Sequence, residues 1–176
     1  MKPPLMKGRP DNYQTPKIAW EYLKPYIKKE WTVWECASGE GQLYTFIKED
    51  GFTVIGSDKE YDFLRQPTKD CDCIITNPPY SLKDEFIERC YAINKPFALL
   101  MPLTALEGKR RQREFAEHGV QMIIPPKRIN FKTPSGQGRS AWFATAWFCY
   151  KLNLPKEINF ITIAKSLHTT GQYDPS

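Results

Sequence analysis

No apolar run in this chain approaches the roughly 20 residues that a bilayer-spanning helix needs, so no membrane span is expected. The segment Met1 to Asp11 is proline-rich, carries Lys2, Lys7 and Arg9, and lacks the apolar core of a secretory signal. The five cysteines, Cys36, Cys71, Cys73, Cys90 and Cys149, are odd in number and contain no C-x-x-C pair. That argues against a disulfide framework and against a zinc site, predicts no metal, and fits a reducing, cytoplasmic setting. Histidine is scarce: His118 and His168 both sit among polar residues and read as surface side chains, so no histidine base is expected. No internal repeat is visible. What remains is a chain of 176 residues, 41% hydrophobic and 14% aromatic, enough for one domain with a real core and too short for two ordinary ones. Its formal charge of +5 suits a polyanionic partner, and equally suits plain solubility.

Strand and helix patterns alternate along it. Val33 to Cys36, Phe52 to Gly56, Cys73 to Thr76, Phe97 to Met101 and Val120 to Ile124 read as strands. Gln42 to Glu49, Lys83 to Ala92 and Lys109 to Glu117 read as helices; the second puts Phe86, Ile87, Cys90 and Tyr91 on one face. Phe97 to Met101 is apolar throughout, as a strand buried on both faces of a parallel sheet is. Trp142 to Tyr150 and Ile158 to Ile163 read as a closing pair of strands around Asn153-Leu154-Pro155. This alternation predicts a three-layer α/β sheet. Residues 1–12 are expected to form a loose arm, residues 13–164 one domain, and residues 165–176 a loose tail.

Two turns carry chemistry. In Ile74-Ile75-Thr76-Asn77-Pro78-Pro79-Tyr80 an apolar strand ends in two prolines, which hold the turn stiffly and push Asn77 out of helical backbone. The Asn77 amide oxygen and a neighbouring carbonyl can both accept from one planar NH2 group, and Tyr80 can cover its flat face. The second turn is Glu35-Cys36-Ala37-Ser38-Gly39-Glu40-Gly41. Gly39 and Gly41 allow a sharp turn and close approach of a ligand, and Asp58 follows about 20 residues on, where a carboxylate grips ribose. Tyr44 stands where the last glycine of G-x-G-x-x-G would be, which disfavours a pyrophosphate-bearing dinucleotide. A ligand with ribose and no phosphate fits better, and S-adenosylmethionine is one.

These turns in this order, with Asp62-Phe63-Leu64 between them, resemble the amino-group methyltransferases that act on adenine in nucleic acid, and the chain as a whole resembles the small stand-alone enzymes of phages and prophages. Asp11 to Pro16 resembles the segment that closes over the methionine end of the cofactor, and Lys127-Arg128-Ile129-Asn130-Phe131 the motif that supplies a second wall for the target base. The resemblance implies a three-layer Rossmann-like class I methyltransferase fold, with a mostly parallel sheet and an antiparallel closing strand. The short interval from Asp58 to Cys71 implies a reduced third strand. The resemblance implies S-adenosylmethionine as cofactor, with Tyr13, Thr15 and Pro16 at its methionine end, Glu35, Ala37, Gly39 and Gly41 around it, Asp58 on ribose, and Asp62 and Phe63 at its adenine. Asn77, Pro78, Pro79 and Tyr80 would then hold the reacting amine, Tyr80 and Phe131 stacking on the two faces of a base that is flipped or already unpaired.

Basic residues flank that position: Lys109, Arg110 and Arg111 open one helix, and Arg128, Lys132 and Arg139 frame the loop carrying Phe131. They read as phosphate contacts, against the alternative of a solvated helix face. The favoured partner is DNA, with RNA the alternative. The chain has no room for a target-recognition domain, so a homodimer or an accessory subunit would supply sharp specificity. Two other functions compete: methylation of a glutamine carboxamide in protein, which uses the same turn, and a catalytically idle nucleic-acid-binding module.

Overall fold

In a computed structural model the protein is described for residues 13–131 and 143–162. Seven strands form one sheet: β1 (Thr32–Glu35), β2 (Thr53–Gly56), β3 (Cys73–Thr76), β4 (Phe97–Pro102), β5 (Gln121–Ile124), β6 (Thr145–Tyr150) and β7 (Ile158–Phe160), in the order β2-β1-β3-β4-β6-β5-β7. The first four run parallel to one another. β6 is antiparallel to both β4 and β5, and β7 runs parallel to β5. The helices are α1 (Lys17–Leu23), α2 (Gln42–Glu49), α3 (Lys83–Ile93) and α4 (Lys109–His118).

Strand periodicity divides the core into two layers. Val33, Ile75, Ala98, Leu100 and Trp147 face one side, where α1 and α2 pack with Trp20, Leu23, Leu43 and Ile47. Trp34, Ile74, Phe97, Leu99 and Phe148 face the other, against Phe86, Ile87 and Tyr91 of α3 and Phe115 of α4. Alternate side chains point to opposite faces of a strand, so a strand that is apolar at every position must be covered twice. β3 and β4 are buried throughout and sit in the middle of the sheet. All five cysteines are buried, and burial pushes the thiols of Cys73, Cys90 and Cys149 well up, so they pack as small apolar side chains.

Three features depart from or complete the sequence reading. β6 and β7 do not pair with each other; β5 lies between them. The reason is apolar content: β6 is buried from Thr145 to Cys149 and needs a neighbour on each side, whereas β7 buries only Asn159 and suits an edge. The interval after β2 is reduced to turns, closed by Tyr61 N–H to Asp58 and Gln66 N–H to Asp62, with neither helix nor strand before β3. The chain also forms α1, which the sequence reading leaves unassigned; Ala19, Trp20 and Leu23 bury one face of it, and the Trp147 indole donates to the Ala19 carbonyl at 2.8 Å.

Candidate active site at the carboxyl edge of the sheet

Because β1 to β4 run the same way, their carboxyl ends meet at one edge, and ligands of open α/β sheets bind there. A cavity of about 680 Å³ opens at this edge, within the size range of small-ligand sites. The N-terminal segment contributes Tyr13, Gln14 and Thr15 to its wall, and the loop after β1 contributes Cys36 to Glu40. Asp58, Lys59, Asp62 and Phe63 come from the turns after β2. Asn77, Pro79, Ser81, Leu82 and Phe86 come from the turn after β3 and the start of α3.

The floor is charged. Glu35, at the end of β1 and 2% exposed, accepts from Thr76 Oγ1 at 2.5 Å and from the Ala37 N–H at 3.1 Å. Burial pushes its carboxyl up to about 7, with those two donors pulling the other way. Past Glu35 the chain turns through Gly39 (φ 51°) and Gly41 (φ 81°), a left-handed backbone that a side chain would strain. The Ser38 N–H donates to the Ser57 carbonyl at 2.9 Å, which holds the loop against the end of β2.

On the apolar wall, Phe63 stacks on Phe86 (centroids 4.9 Å apart, 28° between planes) and meets the edge of Trp34 at 5.2 Å. Asp62 accepts from its own turn: the Leu64 N–H at 3.0 Å and Arg65 Nη1 at 3.1 Å. Gln14 spans the cavity's other rim, its amide donating to Glu40 and accepting from Gln42. That latch draws residues 13–15 over the loop after β1.

Asn77 is fixed at one end and open at the other. Its Nδ2 donates to the Tyr13 carbonyl at 2.9 Å, while its Oδ1 is buried and has no hydrogen-bond partner among the described residues. A buried acceptor left unpaired costs free energy, of the order of 1–3 kcal/mol. Around it, Tyr13 stacks on Tyr80 (5.5 Å, 26°), and Phe143 presents its edge to both rings at 5.8 and 5.6 Å.

Not every expected residue reaches the cavity. Pro16 precedes α1, its carbonyl accepting from Ala19; Gly41 stands at the start of α2; Pro78 is buried; Tyr80 belongs to the aromatic cluster behind Asn77. Phe131 departs furthest: it is 3% exposed and packs into the α1–α2 side of the core, meeting Tyr13 edge-on at 5.9 Å. An apolar ring beside a sheet face gains more from the core than from water, and so it offers no open wall to a base.

Arg110 and Arg111 are likewise engaged elsewhere. Arg110 forms a two-pronged pair with Glu88 at 2.7 and 2.8 Å and reaches Glu85 at 3.3 Å; Arg111 pairs with Asp84 at 2.5 Å. These contacts make an ionic seam between α3 and α4 in place of the expected phosphate contacts. Lys109 is exposed at the start of α4. Lys127 and Arg128 follow β5, which runs parallel to β4 because both oppose β6, so they emerge at the same edge as Asn77. Lys132 and Arg139 lie outside the described residues.

Sequence reasoning missed Gln14, Gln42, Lys59, Leu82 and Phe86. Phe86 carried a signal in its place on the apolar face of α3, and Gln14 in its place within the Asp11–Pro16 segment; Gln42 is set by its bond to Gln14 across the chain. Among the described residues no cluster of side chains fits a metal ion, and no helix is long and apolar enough to cross a membrane.

No family model matches the chain, and no curated protein matches it. Solved structures do. A protein from Listeria monocytogenes named as a class I S-adenosylmethionine-dependent methyltransferase is similar over 88% of this chain and 67% of its own, with a TM-score of 0.57 and 14% identity. A protein from Vibrio vulnificus named as the modification subunit of a type I restriction enzyme is similar over 78% of this chain, with a TM-score of 0.51 and 13% identity. The chain spans 44% of that subunit. At such identity the likeness establishes the fold, a Rossmann-like class I methyltransferase fold with a mostly parallel sheet.

Proposed function

We propose that this protein transfers a methyl group from S-adenosylmethionine to the exocyclic amino group of adenine in nucleic acid, with DNA the favoured substrate. The observation that carries the reading is the buried Oδ1 of Asn77 on the cavity wall, without a hydrogen-bond partner among the described residues. The amide's other end is tied to the Tyr13 carbonyl, so Oδ1 is held as an acceptor and waits for an N–H donor.

The donor set suits the cofactor. Asp58, two residues past β2, can accept from ribose hydroxyls, and Phe63 with Leu64 offers an apolar wall for an adenine. Glu35 on the floor can accept from an ammonium group, and Gln14 lies on the rim. When bound, S-adenosylmethionine supplies an electrophilic methyl on a sulfonium.

This chain's residues do the positioning. An aromatic amine is a poor nucleophile because its lone pair is delocalised into the ring. Asn77 Oδ1 would accept one of its N–H groups and favour a more tetrahedral nitrogen, with the lone pair turned toward the methyl. Orientation and fixed dipoles of this kind supply several kcal/mol without a general base. Lys127 and Arg128 at the same edge suit a phosphate backbone.

Methylation of a glutamine carboxamide is the second reading, and one observation favours it: with Phe131 in the core, the expected second wall for a base is gone. Tritiated cofactor offered in parallel to DNA, RNA and protein, followed by nucleoside analysis, separates the two. Asn77→Ala should keep the cofactor affinity and lower transfer by about 10²–10³-fold, the size of a lost electrostatic contact at a reacting centre. Undiminished turnover by a folded Asn77→Ala protein would remove the amine site from this turn.

A further inference from the structure

Thr76 ends β3, one residue before Asn77, and is 0% exposed. β3 reads Cys-Ile-Ile-Thr and is buried at every position, so a hydroxyl closes an otherwise apolar strand. A hydroxyl taken out of water needs a hydrogen bond. Thr76 Oγ1 finds one 41 positions away in the chain, donating to Glu35 Oε1 at 2.5 Å. β1 and β3 are parallel neighbours, so this bond crosses the carboxyl edge of the sheet and joins the loop after β1 to the turn that carries Asn77.

The surroundings of Glu35 give that bond its weight. The carboxyl lines the cavity, and its two donors, the Thr76 hydroxyl and the Ala37 N–H, both fall on Oε1 and are both neutral. Among the described residues no cationic side chain bonds to it. A carboxylate buried without a cation is costly, and a cationic ligand lowers that cost. The charged and titratable groups nearby do not take the ligand's place. Cys36 follows on the same strand end, and burial holds its thiol well above the ordinary value, so it stays neutral. Asp58, from the turns after β2, disfavours a second negative charge. On the cavity wall Glu40 accepts from Gln14, and Asp62 accepts within its own turn; Lys59 is exposed, and the N-terminal segment brings Tyr13.

We infer that Thr76 is a positioning residue for the cofactor: its hydroxyl keeps the Glu35 carboxylate ionised, and so lets Glu35 take the ammonium group of S-adenosylmethionine in preference to a proton. This rests on the reading of Glu35 as the acceptor for that group. A proton and an ammonium compete for one carboxylate. A hydrogen bond to the ionised form favours the ammonium, and burial favours the proton. With both acting, the carboxyl stands at about 7. Cofactor affinity is therefore level above that pH and falls about tenfold for each unit below it.

Calorimetry on the full chain between about pH 5.5 and 7.5, where an α-ammonium group keeps its proton, tests the assignment without any methyl acceptor. The probes are S-adenosylmethionine and 5′-methylthioadenosine, which lacks the amino-acid end. Wild type should lose affinity for S-adenosylmethionine as pH falls below about 7. Thr76→Val keeps the shape of threonine and suits a strand. Its loss of affinity should begin roughly one pH unit higher, so that it binds S-adenosylmethionine about tenfold more weakly at pH 6. Thr76→Ala removes the same hydroxyl without filling its place and carries the same prediction. Thr76→Ser should restore the wild-type profile, Glu35→Gln should bind weakly with no dependence on pH, and 5′-methylthioadenosine should bind all of them alike. A Thr76→Val profile that superimposes on wild type, with Glu35→Gln flat, would overturn the role of Thr76 and leave Glu35 as the ammonium acceptor. A flat wild-type profile would remove Glu35 from that position and the inference with it. Equal weakening of both probes by Thr76→Val would overturn it too, and make Thr76 a packing residue of the strand.

Discussion

The two sides of the cavity are built differently. On the β1–β2 side the chemistry comes from short stretches at strand ends: Glu35, Ala37 and Gly39 share one loop, and Asp58, Asp62 and Phe63 share the next turns. On the β3–β4 side, Asn77 belongs to one turn, but its amide is oriented by the carbonyl of Tyr13, 64 residues earlier in the chain. Of the rings around it, Tyr80 closes the same turn, but Tyr13 and Phe143 come from distant segments. A site led by local backbone survives most changes elsewhere in the molecule. A site led by distant side chains depends on the packing that brings them together.

Phe131→Ala should break the second side hardest. Truncating a buried phenylalanine costs roughly 3–5 kcal/mol, read as a shift in urea midpoint, and the loss of the ring beneath Tyr13 should loosen the strap over Asn77. Wild-type stability with a selective loss of transfer would make Phe131 a base wall after all.

Glu35→Gln sharpens the first side. The Glu35 carboxyl sits at about 7 in the folded protein against an ordinary 4.5, so protonation favours folding. That contribution is fully present below about pH 4.5 and is lost as pH rises to about 7, for a total of roughly 3 kcal/mol. Wild type should therefore lose stability relative to Glu35→Gln across this window and run parallel to it above. Parallel curves at every pH would mean that Glu35 is hydrated in the folded state.

Asp58→Ala tests the same side by binding. A hydrogen bond from ribose to a carboxylate contributes roughly 1.5–3 kcal/mol, so the dissociation constant for S-adenosylmethionine should rise about tenfold or more. Calorimetry giving the wild-type value would move the ribose partner elsewhere.

The smallest effect belongs to Arg110. With its charge spent on Glu85 and Glu88, Arg110→Ala should leave the salt dependence of nucleic-acid binding unchanged. Lys127→Ala should lower the log–log slope by about 0.9 on duplex or about 0.7 on single strands. A lower slope for Arg110→Ala would return α4 to the phosphate-binding face.

The sequence by itself determined the layering, the strands that form the sheet's centre, and the β1–β2 side of the cavity. Apolar runs and periodicities are local signals, and Gly39, Gly41, Asp58 and Asn77 sit within a few residues of strand ends that those signals locate. Tertiary structure alone decided the rest. It placed β6 between β4 and β5 because a fully buried strand needs two neighbours. It drew Phe131 into the core because an apolar ring gains more from burial than from a solvent-facing loop. It turned Arg110 and Arg111 from a cationic patch into a seam because α3 lays its carboxylates beside α4. And it latched Tyr13 and Gln14 over the cavity through partners at Glu40, Gln42 and Asn77, contacts between residues far apart in the chain that no local pattern announces.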